Sequence, residues 1–456
     1  MAERQSADVF WAKPKTVEQI IKLVKVANEF GLNIRPVGHK HSWSPLYADN
    51  GDIGLDLTLL VGSRFTLDKE RMLASSLGSA LLSEFINFTR ENGVTIPSAP
   101  SVPDATLQGV IGTAAQGGFI KDGPTAIYVN AIDLVDGQGN VRHFNEDDDK
   151  DVIAACKVHL GMSGIIYNTT VKVVPDTTFK FTKFNVRVQD LMFNPENIKD
   201  LVMNNDGLYL LYNAFNGATD EEVNARDGDE LHRPPDSWTP LNDLLQVWIY
   251  NQENGTTIHD IGEEFPETWT LNDNTEYEAT SDYRTLSETI FFPAAFLDSV
   301  HLRRNTGWIG TESEDFSDSQ RTIKNFFQVI EESLKKYGMT YESYYGLFKW
   351  ITHQDDCVLC HTKVAGSFKT VIDYEWVLST ATGLLSDNAV PQWAKIYDSI
   401  PGIYNHIRNV YGSSFREFIT IRNKKSLDPS NIFMNSMLKT LFQDFLEEEG
   451  AAKSEL

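Results

Sequence analysis

Apolar residues at Val17, Ile20, Ile21, Val24 and Ala27 recur at helical spacing, and Gly31 stands where a C-cap glycine belongs, so the pattern predicts an amphipathic helix over 16 to 30. Asn33 to Val37 then reads as a short strand, with Gly38-His39-Lys40-His41-Ser42-Trp43 as a loop on its end. Leu81, Leu82, Phe85 and Ile86 mark a second helix, and Gly93-Val-Thr-Ile leads out of it. Pro97 to Gly118 follows, rich in Gly, Ala, Ser and Pro, with Asp104 as its one acidic or basic residue. Val129 to Val135 and Val141 to Phe144 flank Asp136-Gly137-Gln138-Gly139, a hairpin signal. The acidic run Glu146 to Asp149 reads as a solvated turn at a helix N-terminus, where negative charge is favoured, and that helix ends near His159. Gly161 to Pro175 is a loop feeding a β-branched strand.

After Pro175 the pattern changes to longer strands with more aromatics, and a polar segment, Asn216 to Asp243, reads as an exposed excursion. Ser317 to Gly338 carries a helix with Ile323, Phe326, Phe327, Ile330 and Leu334 on one face. The 456 residues suffice for about three folding units or two large ones. Hydrophobic residues at 41% and charged residues at 23% exclude a disordered chain. Forty basic against 64 acidic residues leave −24, a surface that repels phosphate backbones and makes nucleic acid an unexpected partner. Three cysteines fit a reducing compartment. The first ten residues hold no apolar leader, and no window nears the roughly 18 apolar residues of a membrane span. A cytoplasmic protein is expected.

A Gly-x-Gly-x-x-Gly run between strand and helix is absent, which disfavours a Rossmann-type nicotinamide enzyme. In its place stand two glycine-containing loops, Val37 to Trp43 and Gly109 to Gly118, whose small residues let backbone amides approach a polyanion. Cys357-Val-Leu-Cys360-His361 spells a c-type haem attachment motif. Val358 and Leu359 favour a strand there, which points the two cysteines to opposite faces, so neither haem nor a disulfide is expected and the cysteines read as packing residues. His361 could face a pocket as a base if that strand lines one.

Four stretches in order carry a more specific signal: Lys13-Pro-Lys-Thr-Val-Glu-Gln-Ile-Ile, Arg35-Pro-Val-Gly-His-Lys-His-Ser-Trp-Ser, Asp104-Ala-Thr-Leu-Gln-Gly-Val-Ile-Gly-Thr and His159-Leu-Gly-Met-Ser-Gly-Ile-Ile. Together they resemble the PCMH-type FAD-binding domain of the vanillyl-alcohol oxidase superfamily. Pro391-Gln-Trp-Ala-Lys395 and Leu427-Asp-Pro-Ser-Asn-Ile-Phe-Met-Asn435 resemble C-terminal signatures of its aldonolactone oxidase branch, which holds gulonolactone, arabinonolactone and alditol oxidases. The likeness is strong over 14 to 175 and 391 to 443 and poor between.

The resemblance implies an α+β fold: a two-lobed FAD-binding domain over 1–175, a substrate domain over 176–390 on a large antiparallel sheet flanked by helices, and a segment 391–456 completing the site. It implies FAD, joined covalently through His41 in the loop Gly38, His39, Lys40, His41, Ser42, and an oxidase that takes hydride from the CH–OH group of a small polyol, sugar lactone or other alcohol to flavin N5 and passes electrons to oxygen. No cysteine lies between 98 and 118, so a second covalent attachment is not available. Pro100, Ser101, Thr106, Gly109, Thr113, Gln116 and Gly117 match positions at the pyrophosphate and isoalloxazine, with Gln116 where the branch usually has histidine. Gly164, Ile165 and Ile166 match the segment that receives the adenine end. The branch's His-Trp-x-Lys reads Gln392-Trp393-Ala394-Lys395 here, and its Glu-x-Arg reads Leu347-Phe348-Lys349, so Lys395, Gln392 and Lys349 are the expected catalytic residues. Leucine for glutamate makes a sugar-lactone substrate doubtful, and leaves room for an altered chemistry such as cyclisation or isomerisation.

Overall fold

The computed structural model describes residues 8–213, 234, 236–253, 279–291, 305–312, 316–337, 345–352, 354–363, 368–375 and 389–454. Most of the polar segment 216–243 lies outside the described residues. Thr16 caps helix α1 (Val17–Phe30) by accepting the Gln19 N–H on its side chain, and Gly31 at φ 66° closes the last turn. The buried stripe Ile20, Val24, Ala27 packs with Ile34, Ile53 and Leu55. Those partners lie on β2 (Ile34–Pro36) and β3 (Ile53–Leu55), which form a short parallel sheet with β1 (Phe10–Ala12) in the order β1-β3-β2.

A second sheet is antiparallel, built from β4 (Phe65–Asp68), β5 (Leu73–Leu77), β7 (Val129–Val135), β8 (Val141–Asn145) and β9 (Ile165–Lys172) in the order β4-β5-β9-β7-β8. The hairpin between β7 and β8 forms because the Asp136 carboxylate accepts the N–H groups of Gln138 and Asn140, each at 2.9 Å, and Gly139 takes φ 83°. Helices α2 (Leu82–Glu91), α3 (Leu107–Gly112) and α4 (Lys150–Lys157) bury apolar faces in the same core. A two-stranded pair, β6 (Val94–Thr95) with β10 (Val174–Pro175), lies apart from this sheet.

Eight antiparallel strands follow: β11 (Thr178–Arg187), β12 (Gly207–Asn213), β13 (Leu244–Gln252), β14 (Thr280–Thr285), β15 (Asn305–Glu312), β16 (Tyr345–Thr352), β17 (Phe368–Glu375) and β18 (Val390–Pro391), ordered β14-β11-β13-β12-β16-β17-β15-β18. The register Leu210↔Phe348 and Leu211↔Leu347 sorts their side chains onto two faces. Phe348 and Tyr212 pack on Phe326 and Phe327 of the helix Ser317–Tyr337, which buries Ile323, Ile330 and Leu334 as the periodicity predicts. The opposite face gathers Tyr209, Leu211, Trp248, Tyr250 and Leu347 against Phe119. That face turns toward the first two sheets.

The helices Ile403–Lys424 and Ser436–Ser454 pack through Phe415 and Phe442, ring centres 4.2 Å apart. The turn between them returns to the N-terminal sheet, where Ile34 N–H meets the Ile432 carbonyl at 2.8 Å and Asn435 Nδ2 donates to the Pro45 and Tyr47 carbonyls.

The cysteine expectation is overturned. β16 ends at Thr352, and Cys357 and Cys360 sit in a turn that brings their Cα atoms to 5.4 Å as a disulfide. A turn folds positions three apart onto one side, which a strand cannot do. The Val358 N–H donates to the Ala154 carbonyl at 3.0 Å and anchors it. The support that the cysteine count lent to a reducing compartment goes with that reading. Cys156 is a buried free thiol, pushed up to about 12 by desolvation. Among the described residues no helix is long and apolar enough to cross a membrane.

Candidate functional site

The loop after β2 and the loop around α3 meet at a threonine. Thr106 caps α3, its Oγ1 accepting the Gly109 N–H at 3.2 Å, and Gly38 packs on the same side chain where a Cβ would overlap it. A Cβ at Gly117 would lie 2.7 Å from the Ala99 carbonyl and the Ser98 hydroxyl, so this turn passes beneath residues 98–101 only as glycine. Lys40 (φ 62°), Ala114 (φ 53°) and Leu160 (φ 49°) hold left-handed backbone at or beside the same place, at a cost of about 1–3 kcal/mol each.

Between the loops lies a cavity of about 320 Å³. His39, Lys40, His41 and Ser42 form one wall with Gly38; Pro100, Ser101, Thr106, Gly109, Thr113 and Gln116 form the second. Tyr209, Leu347 and Lys349 enter from the eight-stranded sheet, Gln392 and Lys395 from the C-terminal segment, and Arg35, His159 and Ile166 from beneath. The space thus unites residues more than 350 positions apart in sequence. Gly117, Gly164 and Ile165 do not line it. Gly164, at φ 139°, is pressed on Leu134 and the Val135 carbonyl, and Ile165 belongs to the α1 core. Leu347 and Lys349 share a strand face, so both point into the cavity and Phe348 away.

The lining suits a large polar ligand with a polyanionic middle. Glycines keep the loops open to backbone approach, and Gln108 brings an Oε1 that is buried with no partner among the described residues, although its Nε2 is satisfied by the Ser76 carbonyl. FAD, with a diphosphate between its adenine and isoalloxazine ends, fits this lining.

Electrostatics divide the site. Arg35 is buried and its guanidinium donates to three carbonyls, those of Leu46, Leu160 and Phe433, which ties the floor together. Burial brings it down to about 10, still a cation at neutral pH. His159, also buried, is pushed down to about 4 by desolvation and by Arg35. It accepts the Gly161 N–H on Nδ1 at 2.9 Å, so the neutral ring carries its hydrogen on Nε2. Because the folded ring binds its proton more weakly than the unfolded one, it contributes stability that is full above about pH 6.5 and lost as the pH falls toward 4, on the order of 3 kcal/mol. Urea unfolding at pH 7 and 4.5 should therefore lose less stability in His159→Gln than in the native protein; equal losses would reject the assignment.

The remaining polar groups interlock. Lys349 Nζ donates to the Gln116 carbonyl at 3.1 Å, and Gln392 Nε2 to the Thr113 carbonyl at 3.1 Å. His41 Nε2 faces Asp104 at 3.1 Å, and the Ser101 hydroxyl donates to the Ile290 carbonyl at 2.9 Å. His361 does not line the cavity. It stands behind Gln116, its Nε2 3.1 Å from the Ala114 carbonyl and 3.3 Å from the Gln116 side chain. Arg35 and His159 were visible inside recognised stretches but carried no role in the sequence reading. Tyr209 gave no signal at all, because it comes from the poorly matched middle of the chain.

This fold and cavity define a cofactor-binding domain set under an antiparallel sheet, and residues 10–145 match the FAD binding domain family. The curated relatives that the chain matches over part of their length are named L-gulonolactone oxidase and D-arabinono-1,4-lactone oxidase. The chain is 28% identical over 164 residues to L-gulonolactone oxidase of Scyliorhinus torazame, covering 36% of this chain and 37% of that protein. It is 29% identical over 191 residues to D-arabinono-1,4-lactone oxidase of Kluyveromyces lactis, covering 41% and 36%. With L-gulonolactone oxidase 5 of Arabidopsis thaliana it shares 28% over 195 residues, covering 41% and 33%. The match spans well under half the length of each of these relatives.

Proposed function

We propose that this chain is an FAD-dependent oxidase that takes hydride from the CH–OH carbon of a small alcohol. The carrying observation is that one cavity is lined both by the loops of the FAD-binding domain and by Lys349, Gln392 and Lys395. FAD, when bound, supplies the hydride acceptor. The chain's own residues orient the alcohol, exclude water through Tyr209 and Leu347, and place cations where negative charge develops. The alcohol gives up two electrons and two protons, and oxygen takes them as hydrogen peroxide. In this reading residues 1–175 form the two-lobed FAD domain, 176–390 the substrate domain, and 391–456 the segment that completes the site. Pro100 belongs to the oxygen assignment: it has no amide hydrogen and a fixed φ, so its loop resists closing over the cavity. The test is a panel of alcohols under anaerobic conditions. Bleaching of the flavin, then peroxide release within seconds of adding air, is expected. A flavin that no alcohol reduces would overturn the reading, and reoxidation over many minutes with fast turnover on a quinone would overturn the oxygen assignment.

The reading includes one covalent link, from His41 to the flavin. His41 lines the cavity on the loop that Gly38 docks against Thr106. Acid precipitation should leave a yellow pellet that His41→Ala, not His39→Ala, turns colourless. Colour released entirely to the supernatant from the native protein would remove the link.

A further inference from the structure

We infer that His361 is a positioning residue: it holds the Gln116 carboxamide with its oxygen turned out of the cavity, so that Gln116 donates an N–H to the flavin ring and favours the reduced ring. This rests on the oxidase reading above. Gln108, Gln116 and Gln392 all line the cavity. Gln392 spends both ends of its carboxamide on the backbone, its Nε2 on the Thr113 carbonyl and its Oε1 on the Ala394 N–H at 2.7 Å. Gln108 commits its Nε2 to the Ser76 carbonyl. Gln116 is held differently. Among the described residues its side chain bonds through Oε1, which faces His361 Nε2 at 3.3 Å, while its backbone carbonyl accepts Lys349 Nζ at 3.1 Å. Its Nε2 is the end left for a ligand, at the place where the FAD-binding loop meets the sheet and the C-terminal segment.

The orientation follows from the histidine. His361 Nε2 lies 3.1 Å from the Ala114 carbonyl, which can only accept, so Nε2 carries a hydrogen. A carboxamide beside that N–H turns its oxygen to it, because its own NH2 would set donor against donor. His361 is fully buried behind the wall that Gln116 lines, so the oxygen points back and the nitrogen belongs to the cavity side. The loop itself is fixed by other bonds. Ala115 donates to the Val110 carbonyl at 3.0 Å and accepts the Thr125 N–H at 3.1 Å, and Lys349 holds the Gln116 carbonyl. His361 therefore sets the side chain and not the backbone. Gln116 is only 4% exposed, so its N–H meets a ligand where water competes least. Such a donor is felt more by a ring that has gained negative charge than by the same ring before hydride arrives.

The flavin midpoint potential of the holoenzyme is measured by slow reduction with xanthine and xanthine oxidase against a reference dye, with no alcohol present. Gln116→Leu should weaken the preference for the reduced ring on the order of tenfold, the scale of one hydrogen bond, which lowers a two-electron potential by about 30 mV. His361→Phe should lower it by the same amount, and His361→Gln, which keeps an N–H donor, should hold it near the native value. The double variant, Gln116→Leu with His361→Phe, should fall no further than either alone. Packing alone would cost stability and leave the potential where it was. A native potential in Gln116→Leu overturns the inference, even where His361→Phe does not fold. So does a native potential in a folded His361→Phe, or additive falls in the double variant. Potentials that move as expected in a flavin that no alcohol reduces support the inference and overturn the oxidase reading. Unmoved potentials in a flavin that an alcohol bleaches overturn the inference alone.

Discussion

Lys395→Met should slow reduction of the flavin on the order of a hundredfold, the scale of losing one preorganised charge partner. Backbone bonds and the Ser44 and Trp393 side chains hold the segment that carries Lys395. The Trp43 N–H donates to the Ala394 carbonyl at 2.6 Å, Ser44 Oγ to the Trp393 carbonyl at 2.5 Å, and the fully buried Trp393 donates from Nε1 to the Leu359 carbonyl. The Lys395 N–H itself closes on the Gln392 carbonyl at 3.0 Å. None of these bonds uses the ammonium, so Lys395→Met leaves them in place, and comparison with Lys395→Arg isolates the charge. Hydride transfer loads negative charge on the acceptor, and a cation at the cavity wall stabilises that state more than the state before transfer. Single-turnover reduction in an anaerobic stopped-flow instrument reads the rate, and the flavin midpoint potential should fall in parallel. Lys395→Arg should recover most of both. An unchanged rate and potential in Lys395→Met would reject the role.

How much of this was legible depends on whether local chemistry or long-range packing decides. α1 was legible because Thr16, its apolar stripe and Gly31 act within about fifteen residues of one another. The β7–β8 hairpin was legible because Asp136 satisfies its own turn. The loops Val37 to Trp43 and Gly109 to Gly118 could be picked out by their glycines, and Pro100, Ser101 and Thr106 only through the resemblance, although the Gly38–Thr106 contact is what explains why the two loops meet. The Cys357–Cys360 turn was misread, because Val358 and Leu359 favour a strand locally and the anchoring bond to Ala154 lies about two hundred residues away in sequence. Arg35 shows the same limit. A sequence gives its charge, but its three carbonyl partners come from separate segments that the fold alone assembles.

Asp428→Ala should destabilise the protein by about 3–5 kcal/mol, the range for stripping one partner from a buried ion pair. Asp428 and Arg422 are at most 1% exposed and meet at 2.5 Å. The carboxylate also accepts the Ile432 N–H at 3.0 Å and the Phe433 N–H at 2.9 Å, so it folds the turn Leu427 to Asn435 around itself. Burial pushes its pKa up, while Arg422 and the two N–H groups pull against that rise. Gly137 completes the arrangement, since a Cβ there would lie 2.7 Å from Asp428 Oδ1. Phe433 then offers its carbonyl to Arg35, and Ile432 its carbonyl to Ile34, so the turn is coupled to the cavity floor. Without the carboxylate, Arg422 keeps among the described residues the Met162 carbonyl and the Asn431 side chain, both neutral, against its buried charge. Urea unfolding should show the loss as a lowered midpoint, with flavin released earlier in the transition. Replacing both residues, as in Asp428→Ala with Arg422→Met, should cost less than the sum of the single changes, because no lone charge is left buried. A stability within about 1 kcal/mol of the native value for Asp428→Ala would show that the turn holds without its ion pair.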